Sequence, residues 1–562
     1  MFNFKKNKKE PVEFAKLEDD LFAKIRENII GNDAVINGPF GPRRLMYADY
    51  VASGRSYGLI EDTIRKHVLP LYANTHTESS TTGRQSTAYR EQARDIIAKA
   101  IHANDEDALV FCGSGCTGAV DKLIRMLRLK LPHGLEKFGI DTHIEDGKRP
   151  VVFIGPYEHH SNDVQWRETI ADVITIAETD DGLLDLSDLE IQLKKYESRP
   201  VKIGSFSAAS NVTGIITDVQ PVAKILKAHG AMACFDFAAS APYEPIDMNP
   251  KGGIPLDAVF ISPHKFLGGP GTPGLLVVKK SYAQNKTPVV PGGGTVSYVS
   301  PCAQAYLVDI QHREEGGTPD IVGAIRAGLA FDLREKTGAA AISKQERVFA
   351  TRAMKRWGNH KDIQILGSEI ADRLPIFSFL IKSGKDKYLH YNFAVALLND
   401  LFGIQARGGC SCAGPYGHRL LKIDIATSEE YEKVIATGVE ILKPGWVRVG
   451  FNYFYSAEEA DLLLRAVEWV ADHGVQMLPY YSFDSATGVW AHRDADQIFL
   501  SDLTLPDHDL PKSLVPDSPN SNDKLIANAN EYLKNRPQCC VSENCCILDA
   551  TPEHLRWFSL AS

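Results

Sequence analysis

Ser262-Pro-His-Lys-Phe-Leu-Gly-Gly-Pro-Gly-Thr-Pro-Gly274 follows directly on the apolar run Asp257–Ile261. A lysine at the end of a buried strand, with a glycine-rich turn behind it, is a poor place for a solvated cation. Partial desolvation favours the neutral amine, the form that attacks a carbonyl to make a Schiff base. The glycines let backbone approach a bulky ring and its phosphate closely. Lys265 is therefore the candidate nucleophile.

The runs Ala108–Cys112, Pro150–Ile154, Lys202–Phe206, Ala231–Phe235 and Gly274–Val278 also read as strands. Helical spacing lies between several of them, as at Thr117–Leu129 and Val219–His229. Strands that are apolar throughout and alternate with helices predict a mostly parallel sheet covered on both faces. In such α/β sheets ligands bind beyond the carboxyl ends of the strands, so the informative residues lie just after each run.

One strand earlier than Lys265, Ala231-Met-Ala-Cys-Phe-Asp236 ends in a carboxylate where an unpaired charge would be costly. Pyridoxal 5′-phosphate (PLP) needs an acid there, to keep its pyridine nitrogen protonated so that the ring can act as an electron sink. Asp236 and Lys265 on neighbouring strand ends are a constellation, where either alone would be an ordinary turn residue.

Phe111-Cys-Gly-Ser-Gly-Cys-Thr-Gly118 leads from a strand into a helix, an arrangement that cradles an anion. It also matches GxGxxG. A dinucleotide site wants an acid ~20 residues on at the end of the next strand. No strand ending in an acid stands there, so phosphate binding is the better reading. Val151–Ile154 leads to Pro156-Tyr-Glu-His159-His160-Ser-Asn162. One ring here can stack on a cofactor and move a proton. A metal site is not expected, because adjacent histidines diverge and no third ligand has useful spacing. Lys202–Phe206 ends in Ser-Ala-Ala-Ser-Asn211-Val-Thr-Gly214, which puts an amide at the same sheet edge.

In their order, the glycine-rich helix start, EHHSN, SNVTG, Asp236 and SPHK resemble the class V, fold-type I PLP enzymes, and among them the cysteine desulfurases and selenocysteine lyases. The resemblance runs from Tyr47 to Asp472, about three quarters of the chain. It implies a seven-stranded, mostly parallel large domain, a smaller α+β domain and a C-terminal extension. The boundaries expected are 1–45 for an N-terminal segment, 46–325, 326–475, and 476–562 for the extension. It implies that Lys265 carries PLP, that Asp236 pairs with the pyridine nitrogen, that His159 stacks on the ring and that Asn211 lies near its 3′-oxygen. Ser262, His264 and backbone around Gly115 and Cys116 would hold the phosphate. Thr318, in Glu315-Gly-Gly-Thr-Pro, matches a threonine that reaches the partner subunit's phosphate, so a homodimer is implied. Two positions depart from the family: Gly115-Cys116 stands where a Thr pair is common, and Ala239 where a glutamine often follows the aspartate.

Ile404-Gln-Ala-Arg407-Gly-Gly-Cys410-Ser-Cys412-Ala-Gly-Pro415 supplies the thiol that a desulfurase needs. A thiolate attacking the substrate's sulfur would leave an enzyme persulfide and release alanine. Cys412 matches the family's acceptor, with Cys410 as a spare or resolving thiol. The same Gly-Cys-x-Cys pattern also resembles the loop of molybdenum-cofactor sulfurases. Gly445-Trp-Val-Arg448-Val-Gly matches the strand whose arginine grips the substrate α-carboxylate through a planar fork, with Arg407 as second clamp. The expected activity is removal of sulfur or selenium from cysteine-like amino acids. Other class V reactions (transamination, epimerisation, β-elimination) and a non-catalytic scaffold are the alternatives.

Composition agrees with an ordinary globular enzyme. The chain has 562 residues, 44% hydrophobic and 24% charged, and a net charge of −9, which gives no footprint for nucleic acid or anionic membrane. No stretch approaches the ~18 consecutive apolar residues of a membrane span. No apolar segment follows the basic run Lys5–Lys9, and the ten cysteines are dispersed, so reduced thiols in the cytoplasm are expected. The partners expected are an amino-acid substrate and a sulfur-acceptor protein. Beyond residue 476 come a Pro/Ser/Asp-rich linker (505–523), a helical pattern at Lys524–Leu533, and Cys539-Cys540 with Cys545-Cys546. Those four thiols could relay sulfur or bind a soft metal, but paired Cys-Cys steps lack the usual C-x2-C geometry.

Overall fold

Seven strands form the central sheet of this computed structural model: β1 (Asp107–Cys112), β2 (Val151–Ile154), β3 (Asp172–Thr175), β4 (Lys202–Ser207), β5 (Met232–Asp236), β6 (Ala258–Ile261) and β7 (Gly274–Lys279). Residues 20–75, 77–140, 142–494, 521–535 and 552–561 are described. The basic run, most of the linker and the four tail cysteines lie outside them.

The strand order is β1-β7-β6-β5-β4-β2-β3. β7 runs antiparallel to both its neighbours, and every other pair is parallel. The apolar side chains of the inner strands are buried on both faces, for example Val152, Phe153, Phe235, Val259 and Phe260. Each contributes roughly 1.5–3 kcal/mol by leaving water. β3 escaped the sequence reading because it is an edge strand, only partly buried and without a continuous apolar run. Ser207 pairs with Asp236 and Asp236 with Phe260, so the carboxyl ends of β4, β5 and β6 lie abreast. That register brings the Asp236 carboxylate beside the turn that carries Lys265.

Helix α1 (Thr81–Ala100) packs on α3 (Ile321–Thr337), and α2 (Gly115–Met126) rises from the end of β1. Gly338, at φ +89°, separates α3 from α4 (Ala339–Trp357). A second, antiparallel sheet runs β8-β9-β12-β11, from β8 (Ile363–Ile365), β9 (Ile376–Gly384), β11 (Arg407–Gly409) and β12 (Trp446–Gly450), with β10 (Lys387–Tyr388) on the end of β9. Helix α5 (Ala457–Met477) starts at a capping box between Ser456 and Glu459. The helix expected at 524–533 is α6 (Asn522–Asn535), which takes up the last residues of the linker pattern and packs on α5.

Two short segments complete the second sheet's surroundings. Met46–Tyr47 pairs in parallel with Ile404–Gln405, which carries the following residues under β12. Residues 552–561 lie along β10: Tyr388 bridges to Phe558, and the Trp557 ring stacks on Tyr391 at 5.7 Å. Among the described residues no helix is long and apolar enough to cross a membrane.

Candidate active site

β6 ends in a tight turn, Pro263–Lys265, and the Lys265 side chain enters a cavity of about 190 Å³ at the carboxyl edge of the large sheet. Burial lowers the pKa of its amine, against the opposing pull of Cys116 and Asp236. Asp236 is buried at the end of β5, where Oδ1 accepts the Ala238 N–H at 2.7 Å. Burial raises its pKa, while the Ala238 amide, Cys116 and Lys265 pull it down. A cationic partner would add to that downward pull.

At the start of α2, the Cys116 N–H donates to Ser262 Oγ at 2.9 Å. Gly115 has φ +54°, and a Cβ there would lie 2.6 Å from His264 Cε1 and 2.7 Å from Ser262 Oγ. A threonine at this position would have to displace both side chains and adopt a strained backbone, which favours the glycine of the Gly-Cys departure. Burial and the Lys265 charge push the His264 pKa down to about 4.

On the facing wall His159 caps the turn after β2. Its Nδ1 accepts the Ser161 N–H at 3.1 Å, which leaves the ring proton on Nε2. Burial first, then Lys265, push its pKa down to about 3, so the ring is neutral. Glu158 lies behind it and accepts from the Ser207 N–H at 2.8 Å and from Asn162 and the Ser207 hydroxyl at 2.6 Å each. This network ties the β2 turn to β4.

The register of the small sheet sets Arg407 directly opposite Arg448 on adjacent strands. Two cations so placed would repel. Asp49 resolves this: Oδ1 accepts from Arg448 Nη2 and Oδ2 from Arg407 Nε, both at 2.7 Å. Arg448 also donates to the Asn211 carbonyl at 3.1 Å, and its buried Nε has no partner among the described residues. Sequence reasoning missed Asp49. Its only local signal is an acidic residue within the otherwise apolar and aromatic Met46-Tyr-Ala-Asp-Tyr-Val51.

The loop after β11 brings Cys412 to the cavity lining, with its side chain exposed. Cys410 instead turns into an apolar cluster with Tyr157, Val212, Ala413 and Trp446. Asn211 lines the cavity but donates its amide to the Ser411 carbonyl at 2.8 Å. The cavity thus gathers Lys265, Asp236, His159, Asn211, Ser262, His264, Gly115, Cys116, Arg407, Arg448 and Cys412. Thr318 is the exception: it is exposed, outside the lining, and its hydroxyl accepts from Asn74 Nδ2 at 3.1 Å.

These residues fit PLP. Lys265 offers an amine for the carbonyl, Asp236 an acid for the ring nitrogen, and His159 a face for the ring. The α2 N-terminus with Ser262 and His264 offers an anion cradle.

The model of the family described as "Aminotransferase class-V" matches residues 46–463. The chain belongs to the class V aminotransferase family. Among curated members of similar sequence, a probable cysteine desulfurase of Halalkalibacterium halodurans is 30% identical over 376 residues, 66% of this chain and 84% of the relative. One from Pyrococcus abyssi is 27% identical over 431 residues, 76% and 94% of the two chains. The same fold is found in the apo cysteine desulfurase of Thermococcus onnurineus NA1 (TM-score 0.64, 24% identity, covering 80% of this chain and 98% of that one). It recurs in the Escherichia coli cysteine desulfurase CsdA (TM-score 0.61, 20% identity, 80% and 98%).

Proposed function

We propose that this chain is a PLP-dependent cysteine desulfurase that passes the sulfur, or selenium, of an L-cysteine-like amino acid to Cys412 and releases alanine. The observation that carries this reading is that an exposed thiol, a half-buried lysine and a paired arginine clamp line one cavity. Relatives named as cysteine desulfurases, aligned over most of their length, support it.

PLP, when bound, supplies the electron sink that makes the substrate's α-proton removable. Arg448 and Arg407, both in the cavity lining, hold the α-carboxylate. Lys265, whose amine burial keeps less basic, takes the α-proton and can return it. Neutral His159 faces the site and assists that transfer. The Cys412 thiolate attacks the substrate sulfur. An S–S bond forms, the substrate's C–S bond breaks with its electron pair left on Cβ, and protonation there gives alanine. Cysteine and a protein thiol become alanine and a protein persulfide, and no external oxidant is consumed.

An acceptor protein would then collect the sulfur from exposed Cys412. A homodimer would bring Thr318, remote from the cavity of its own chain, to the phosphate end of its partner's site.

The test is an absorbance spectrum of the purified protein, followed by L-cysteine with alanine and sulfide assays. The visible band of lysine-bound PLP with equal alanine and sulfur is the expected result. The band without turnover would overturn the desulfurase reading.

A further inference from the structure

His160, next in sequence to the histidine on the cavity wall, faces the cysteine loop. Its backbone N–H donates to the Cys412 carbonyl at 2.8 Å, and its Nε2 accepts the Gly414 N–H at 2.9 Å. Beside it the Asn211 amide holds the Ser411 carbonyl. Three hydrogen bonds therefore cross from the edge of the large sheet to Ser411, Cys412 and Gly414 of the other sheet's loop. That loop is held in a conformation its own residues disfavour. Ser411 and Cys412 both have positive φ, +53° and +56°, where an L side chain crowds its own backbone, and the buried Ser411 hydroxyl has no partner among the described residues. Ala413 is buried on one side, and Cys412 alone is left exposed. Strain of this kind persists only where the surroundings over-determine it.

We propose that His160 is a positioning residue for Cys412: through the Gly414 amide and the Cys412 carbonyl it holds the thiol at the mouth of the cavity. This rests on the reading of Cys412 as sulfur acceptor. Accepting from Gly414 requires a lone pair on Nε2 and so a neutral ring. Burial favours that state, Arg167 and Lys443 reinforce it, and Asp163 opposes it. Phenylalanine would keep the ring's bulk and leave the Gly414 N–H unpaired. Glutamine carries an amide oxygen that reaches the place of Nε2 and can accept the same bond.

The experiment uses the full-length, PLP-loaded protein, with iodoacetamide as probe of the Cys412 thiol and peptide mass spectrometry as readout, alongside steady-state sulfide release from L-cysteine. His160→Phe is expected to keep the visible cofactor band and to speed alkylation of Cys412 by about threefold or more, the change that one lost hydrogen bond supports. It should lower kcat with little change in KM, and His160→Gln should return both readouts towards wild type. His160→Asn, too short to reach Gly414, should behave like His160→Phe, and it replaces that variant if the larger ring prevents folding. Alkylation at the wild-type rate in His160→Phe, or no recovery in His160→Gln, overturns the proposal. Loss of the cofactor band in both His160→Phe and His160→Asn overturns it too, by assigning His160 to the cofactor. The acceptor reading fails separately: sulfide release by Cys412→Ser would remove it, whereas alkylation reports the position of the thiol whether or not it accepts sulfur.

Discussion

Asp49 and Arg448, 399 residues apart, join through a 2.7 Å contact between Oδ1 and Nη2, and the other oxygen of the same carboxylate holds Arg407. The clamp for a substrate carboxylate is thus already bridged by a protein carboxylate, which fixes both guanidinium planes before any substrate arrives. Asp49→Asn would keep the shape and lose the charge that reconciles two facing cations. It should raise KM for L-cysteine by about tenfold, the scale of one charge-assisted hydrogen bond, with a smaller change in kcat. An unchanged KM in steady-state assays would show that the clamp is oriented without it.

Lys265→Ala removes the only amine placed for the cofactor among the residues lining the cavity. The visible band and turnover of L-cysteine should both vanish, while far-ultraviolet circular dichroism stays unchanged. A variant that retained the band would take the cofactor assignment down.

The two loop cysteines should separate cleanly. Cys412→Ser is expected to keep the cofactor band and stop sulfide release, because the exposed thiol lines the cavity. Cys410→Ser should keep at least about half of the activity, since its side chain packs among Tyr157, Val212 and Trp446. It should cost some stability by putting a hydroxyl in an apolar cluster. The reverse pattern of activities would make Cys410 the acceptor.

Gly115→Thr restores the residue common in the family and should weaken PLP binding by about tenfold or more. Its Cβ would collide with His264 and Ser262, and φ +54° is strained for any side chain. Fluorescence titration of the apoprotein with PLP measures this. Wild-type affinity would mean that the cradle can reshape around the new side chain.

Burial pushes the pKa values of His159 and His390 down to about 3 and that of His264 to about 4. An unfolded histidine takes up a proton near pH 6.5, where these folded ones do not. Between the two values the unfolded state binds more protons, so what these rings contribute to stability is full above about pH 6.5 and falls as pH drops towards 4 and then 3. These rings should lower the thermal midpoint of the apoprotein on going from about pH 7.5 to about pH 5, and the buried Glu158 carboxyl, pushed up to about 7, acts in the opposite sense. His390→Asn, which keeps an acceptor for the Asn392 N–H, should reduce that lowering. The same change of midpoint with pH in His390→Asn and in the wild type would show that this ring titrates normally.

Much of this site was legible in order along the chain. Strands buried on both faces must be apolar throughout, so Asp236 and the Ser262-Pro-His-Lys turn stand out where the runs end. The half-exposed edge strand Asp172–Thr175 carries no such run, and it did not stand out. The Gly115-Cys116 departure was visible as a difference, but its reason was not, because the obstacle is His264, far along the chain.

The sequence by itself determined the order of the apolar strands and the helices between them, and the lysine and its acid, because each follows from local periodicity or from a charge at the end of an apolar run. The thiol-bearing loop was legible through its resemblance to the family. Only the tertiary structure decided which of the two cysteines faces the cavity, that Asp49 spans Arg407 and Arg448, and that His160 holds Gly414. Those contacts join segments that meet only after both sheets have packed and β11 has paired with β12. A hydrogen bond between such distant positions leaves no periodicity in the chain. Its partners are chosen by register and burial, which depend on the folded whole.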